Sequence, residues 1–200
     1  MKASFPINTT PTAILLISLF FILQSFQMRS THIPSPLDAS TFIEVIEIPE
    51  FGVGETQTIT DNINKGATPS SLEWAAQGSV ACFPGTRFVE FQGKQVFYSV
   101  RIPRGSELIV SLTPSSRKRI NLFGYIDFHG DNVPPIASCR SCESSYPIYA
   151  GKPNLRDGGG KRKISFSHAV NRSFTALIAV SGAQGVEEGE YELSFELKSR

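Results

Sequence analysis

The chain has 200 residues, with 19 Lys and Arg against 18 Asp and Glu and a formal net charge of +1. A balance this close to neutral carries no field that would recruit nucleic acid or a strongly acidic partner. Its 15 Phe and 16 Gly, beside 2 Met and 1 Trp, suit an all-β chain of strands and turns.

In chain order, the first element is apolar. Lys2 is the one charge before "AILLISLFFILQSF" (13–26), which only Ser18, Gln24 and Ser25 interrupt. A run of this length matches a signal-peptide core of ~7–15 residues better than a spanning helix of about 20. No A-x-A-like cleavage pair follows, and Met28 and Arg29 stand where one is needed. Residues 1–29 are therefore read as a signal peptide or an uncleaved N-terminal membrane anchor. Both readings put the rest of the chain outside the cytoplasm: periplasmic, secreted, or anchored and facing outward. Residues 30–40, with two prolines, form a linker. Residues 41–200, about 160 in all, suffice for one domain with a core.

Within that domain, "TFIEVIEI" (41–48) and "ETQTIT" (55–60) read as early strands, and "SLEWAAQ" (71–77) as one or two helical turns. From residue 95 the period is two. "QVFYSVRI" places Val96, Tyr98, Val100 and Ile102 on one face; "ELIVSLT" places Leu108, Val110 and Leu112. "INLFGYIDF" offers Ile120, Leu122, Ile126 and Phe128, "KISFSH" offers Ile164 and Phe166, and "SFTALIAVS" offers Phe174, Ala176, Ile178 and Val180. "EYELSFEL" sets Tyr191, Leu193, Phe195 and Leu197 against Glu190, Glu192, Ser194 and Glu196. One apolar and one charged face describe an antiparallel sheet with a solvated side. The expected architecture is all-β, an antiparallel β-sandwich of jelly-roll or Greek-key type.

The connection at 129–163 departs from a minimal sandwich. About 35 residues between Phe128 and Ile164 lack alternation, and loops longer than ~12–15 residues are usually functional or disordered. Cys139 and Cys142 lie here, in "SCRSC", two residues apart.

"GKQVFYSVRIPRGSELIVSLTP" (93–114) resembles the first half of the bacterial pre-peptidase C-terminal domain, and "SFTALIAVSGAQGVEEGEYELSFEL" (173–197) its second half, with its G-x-Y corner. The resemblance covers about residues 80–198. Gln95 stands where the family has an acidic residue before the first strand's aromatic, and the middle strand lacks the family's D-x-D-L-x-L run. Membership would imply a jelly-roll-like, non-catalytic sandwich that works alongside secreted proteins. Some members bind calcium or polymeric ligands.

Each candidate site has a competing structural reading. A redox C-x-x-C needs a helix N-terminus, which the prolines around Cys139 and Cys142 do not supply. Zinc would need four ligands, drawn from Cys82, Cys139, Cys142 and His129 or His168, with no second close pair in support. In an oxidising compartment thiols pair. A bridge from Cys82 to Cys139 or Cys142, or a local Cys139–Cys142 bridge, would tether the long loop. Asp127, Asp131 and Asn132 in "DFHGDN" offer hard oxygens for calcium, or a plain acidic turn. The triplets Arg117-Lys118-Arg119 and Lys161-Arg162-Lys163 offer an anion-attracting patch, or charges that discourage strand-edge pairing.

No catalytic, Walker or dinucleotide motif occurs in the sequence. The function implied is an exported, non-catalytic module that binds or assembles with a protein or polysaccharide partner. It has no nucleic-acid role, no cofactor, and no membrane contact beyond the N-terminal segment. The alternatives are a calcium-dependent adhesion module, and an enzyme with a cysteine-centred or metal site in 129–163.

Overall fold

A computed structural model describes residues 43–76, 83–127, 141–147, 160–169 and 172–200. The leader, the linker and most of the 129–163 connection lie outside the described residues.

Nine strands are present among these residues: β1 (Val45–Glu47), β2 (Thr56–Asn62), β3 (Gln95–Ile102), β4 (Ser106–Pro114), β5 (Ile120–Asp127), β6 (Cys142–Ser145), β7 (Arg162–Ser167), β8 (Phe174–Gly182) and β9 (Glu190–Ser199). Between β2 and β3 run a 3-10 turn (Ile63–Lys65) and three helical turns, α1 (Glu73–Ala76), α2 (Phe83–Thr86) and α3 (Phe88–Phe91). The strands form a five-stranded sheet, β1-β3-β8-β5-β6, and a four-stranded sheet, β2-β9-β4-β7. All pairs are antiparallel except β1 with β3. Every connection except β5–β6 carries the chain from one sheet to the other, so the two sheets are built together as a sandwich.

Register turns the period-two pattern into a core. Val96 faces Val180, Tyr98 faces Ile178 and Leu122 faces Val180, while Leu108, Val110 and Leu112 meet Leu197, Phe195 and Leu193. These side chains are buried between the sheets. A buried polar line crosses the same core. Tyr98 Oη donates to Asp61 Oδ2 at 3.0 Å, so the 2.6 Å contact with Tyr191 Oη is a donation from Tyr191 to Tyr98. The Asn62 amide (2.7 Å) and Lys65 Nζ (2.6 Å) complete the carboxylate of Asp61.

One expectation changes. The outer face of the five-stranded sheet is covered at its centre and not solvated there. Phe97, Phe123, Tyr125, Leu177 and Ala179 point away from the sandwich core and are buried in a second cluster with Leu72, Ala75 and Phe91. Near the middle of β3, β5 and β8 some odd positions are apolar as well as the even ones, the sign of a sheet covered there on both sides. The helical turn read at 71–77 supplies part of that cover with Leu72 and Ala75. Two features that the sequence pattern does not announce complete the sheet and its cover. "FPGTRFVEF" folds as α2 and α3, and "CESS", too short to show a period, is the edge strand β6.

Candidate functional site

The cover is anchored from beneath. Helix ends leave carbonyls without partners, and the last three of α3 are all satisfied by neighbouring chain. Gln184 N donates to Val89 O at 2.8 Å, and Asn121 Nδ2 to Glu90 O at 2.6 Å. Gln95 Nε2 (2.7 Å) and Ser181 Oγ (3.0 Å) share Phe91 O. Phe91 itself packs edge-on to Phe123, centroids 5.4 Å apart, and to Tyr146 at 5.5 Å. Trp74 of α1 lies 5.6 Å from Tyr125. Helices α1 and α2 touch where Gly85 has no side chain; a Cβ there would sit 2.4 Å from the backbone nitrogen of Ala76.

With that inner side fixed, the outer side carries apolar groups. Phe83 is 54% exposed, Phe88 36% and Val89 55%, with the exposed Arg87 among them. The ring of Phe83 reaches Tyr146, just after β6, at 6.2 Å. Sequence reasoning missed this surface because four-residue helical turns are too short to show a 3.6-residue period.

Beside the patch is a charged cluster. Glu90 accepts from Arg119, and its Oε2 lies 3.3 Å from Asn121 Nδ2. Arg162 Nε is 3.5 Å from Asn121 Oδ1, and the same guanidinium reaches Gly160 O. Burial holds the Arg162 pKa below its usual value; Glu90 opposes that shift and Arg119 adds to it.

The basic triplets therefore separate. Arg162 falls in phase with Ile164 and Phe166 on the inward side of β7, only 7% exposed, while Lys161 and Lys163 are exposed. Arg119 and Arg162 converge on Glu90 and Asn121. Lys118 instead pairs with Glu188 at 2.6 Å, and Arg117 is exposed. The six residues do not form one outward patch, because strand alternation turns the central arginine of the second triplet inward.

Cys142 pairs in register with Tyr125, packs against the second cluster and is disulfide-bonded. Cys82, Cys139, His129, Asp131 and Asn132 lie outside the described residues. Asp127 ends β5 as a buried residue, and His168 follows β7 with its ring 6.2 Å from Phe174. Among the described residues no three His, Cys, Asp or Glu side chains group as a metal site, and no helix is long and apolar enough to cross a membrane.

No family model matches the sequence, and no curated protein does. Solved structures are similar at the level of fold. The chain matches a periplasmic inhibitor of g-type lysozyme, PliG from Aeromonas hydrophila, at TM-score 0.41 and 12% identity, over 78% of this chain and 97% of that one. The pre-peptidase C-terminal domain of Bacillus anthracis collagenase matches at TM-score 0.39 and 10% identity, over 78% and 96%. The surface-associated copper-binding protein CorA of Methylomicrobium album BG8 matches at 0.36 and 9%, over 79% and 98%.

Proposed function

We propose that this chain is an exported, non-catalytic β-sandwich whose helical cover docks a protein partner. The observation that carries the reading is the pairing of a rigid inner side with an apolar outer one. Phe83, Phe88 and Val89 remain in water on a cover whose carbonyls and aromatic rings are already committed to the sheet. Large apolar groups clustered at a surface mark interaction sites, and a pre-ordered surface loses little freedom on binding.

Residues 1–29 act as the export or anchoring signal, 30–40 as a spacer and 41–200 as the folded module, outside the cytoplasm. There Cys142 pairs with Cys82. Phe83, the next residue after Cys82, already lies against the residue just after β6, so the bridge would staple α2 to the sheet edge. Closing a loop of about 60 residues stabilises by roughly 4 kcal/mol in the chain-entropy model. Peptide mapping without reductant should show a Cys82–Cys142 linked pair and one free thiol at Cys139. Three free thiols, or a zinc-shifted mass, would instead support the cysteine-centred enzyme.

The docking test is a photo-crosslinker placed at Arg87, in protein exported by its native host. A discrete crosslinked protein should form and disappear in F83S/V89S protein of unchanged Tm. Crosslinking that survives the double substitution rejects this surface. The calcium reading, resting on Asp127, Asp131 and Asn132, requires a midpoint that falls in chelator.

A further inference from the structure

A second surface is lined by polar and charged residues around one glycine. Where the β2–β9 ladder ends, at the pair Asn62–Glu190, an open cleft of about 280 Å³ is lined by Asn62, Ser115, Ser116, Lys118, Glu188 and Glu190, with Gly189 at its base. We propose that this cleft is a saccharide subsite that takes one neutral sugar ring through adjacent hydroxyls.

The walls are tied to one another by the backbone. Ser115 N donates to Glu190 O at 2.9 Å and Ile63 N to Gly189 O at 3.1 Å. Lys118 N reaches Ser116 Oγ at 3.3 Å, and Lys118 Nζ holds Glu188. Gly189 keeps the base open: a Cβ there would come within 2.7 Å of Ile120 Cδ1, so that side chain would have to shift. A ligand therefore meets a formed site and not three loops awaiting order.

The groups left over define the ligand. Asn62 caps the 3-10 turn, and its Oδ1 accepts from both Asn64 N and Gly189 N at 3.0 Å. Its acceptor is thereby used, which fixes the orientation of the amide and leaves Nδ2 as a donor. Among the described residues, neither Nδ2, the Ser115 hydroxyl nor the Glu190 carboxylate has a partner. A donor, an acceptor and a hydroxyl lining one cleft can complement a vicinal diol, whose hydroxyls give protons to the carboxylate and take one from the amide.

Charge and size narrow the class. Lys118 is matched by Glu188, so Glu190 leaves the cleft one negative charge in excess, which disfavours acidic sugars. The volume is at or below the small end of ligand pockets, ~300–1,000 Å³, which fits one ring. No lining residue is aromatic, so hydrogen bonds alone hold the ring and affinity falls near the millimolar range.

The test follows backbone amides of the mature domain by NMR during titration with methyl α-glucoside, methyl α-mannoside, methyl β-galactoside and glucuronate. At least one neutral glycoside should give saturable shifts at Ser115, Ser116 and Gly189, and glucuronate should bind more weakly. Glu190→Ala should weaken the neutral ligand about tenfold, the loss of one charge-assisted hydrogen bond, without lowering Tm. Absence of saturable shifts with all four probes, shifts centred elsewhere, equal affinity for glucuronate, or full affinity in Glu190→Ala each overturns the proposal. None of these outcomes bears on the apolar cover, which shares no residue with the cleft.

Discussion

The outer faces of the two sheets are built from opposite materials. On the four-stranded sheet that face presents Thr56, Thr58 and Thr60 of β2, Lys163, Ser165 and Ser167 of β7, and Glu190, Glu192 and Glu196 of β9, nearly all exposed. On the five-stranded sheet it presents Phe97, Phe123, Tyr125, Leu177 and Ala179, all buried. The contrast has a consequence for function. A face of aromatic rings must be covered, each fully buried ring stabilising by about 1.5–3 kcal/mol. The chain that covers it then exposes a side of its own. The apolar outer side of α2 and α3 exists because the sheet beneath could not be left in water.

The sharpest way to break this comparison is to remove the ring at its centre. Phe123 meets Phe91, Phe97 and Tyr125, all edge-on at 5.4–6.2 Å. Phe123→Ala should cost about 3–5 kcal/mol, read as a lowered denaturant midpoint. Ser194→Ala, on the opposite outer face, should stay within about 0.5 kcal/mol. Equal effects would mean that the cover is not a packed second core.

The next effect lies between the sheets and sharpens the contrast from within. Asp61 is only 7% exposed in its side chain. Burial alone would raise its pKa, but the Lys65 ammonium, the Asn62 amide and the Tyr98 hydroxyl together hold it below 3.8. Burial also raises both tyrosines, for Tyr98 with the added effect of Tyr191 and Asp61, so neither ionises near neutrality. A depressed carboxylate stabilises fully above its unfolded pKa, and that contribution is lost as pH falls through the folded value. Wild-type stability should therefore decline below pH 3.8, and Asp61→Asn should flatten that acid limb. Tyr98→Phe, which strands the Tyr191 hydroxyl, should cost about 1–3 kcal/mol at neutral pH. An unchanged acid limb in Asp61→Asn would remove the carboxylate from the polar line.

How far the sequence reveals this architecture depends on which residues are asked. The even positions of β3, β5 and β8 and the unbroken alternation of β9 announce the sandwich, since period two has one structural meaning over eight residues. "NLFGYI" also carries the doubly covered sheet in plain view, as an almost continuous apolar run. What supplies the cover is legible only in part: 71–77 reads as helical turns and does fold as α1, but the rest is not announced. Four-residue helical turns such as Phe83–Thr86 are too short for a 3.6-residue period, and β6 has four residues with no alternating apolar pair. The polar cleft is less legible still. Asn62, Ser115 and Glu190 have no motif in common, and only the β2–β9 register and the loop after β4 bring them together. Arg162 illustrates the opposite case. Its triplet reads as surface charge, yet the phase set by Ile164 and Phe166 already assigned it inward.

The smallest effect separates the ion pair of Lys118 from that of Arg119. Glu188 is fully exposed, and its pKa is lowered by the hydrogen bond and charge of Lys118. Two exposed side chains give back in entropy and screening most of what they gain in attraction. Glu188→Gln should accordingly leave the unfolding midpoint unchanged at any salt concentration. Glu90 occupies the other environment, with its side chain 13% exposed, accepting from Arg119 and Asn121 and standing near the buried Arg162. Glu90→Gln leaves two guanidinium groups facing each other without the intervening charge, and should lower stability by about 1–3 kcal/mol. Chemical denaturation of both variants in low and high salt measures the difference. If Glu188→Gln were the more damaging of the two, the weight assigned to the covered side of the molecule would be misplaced.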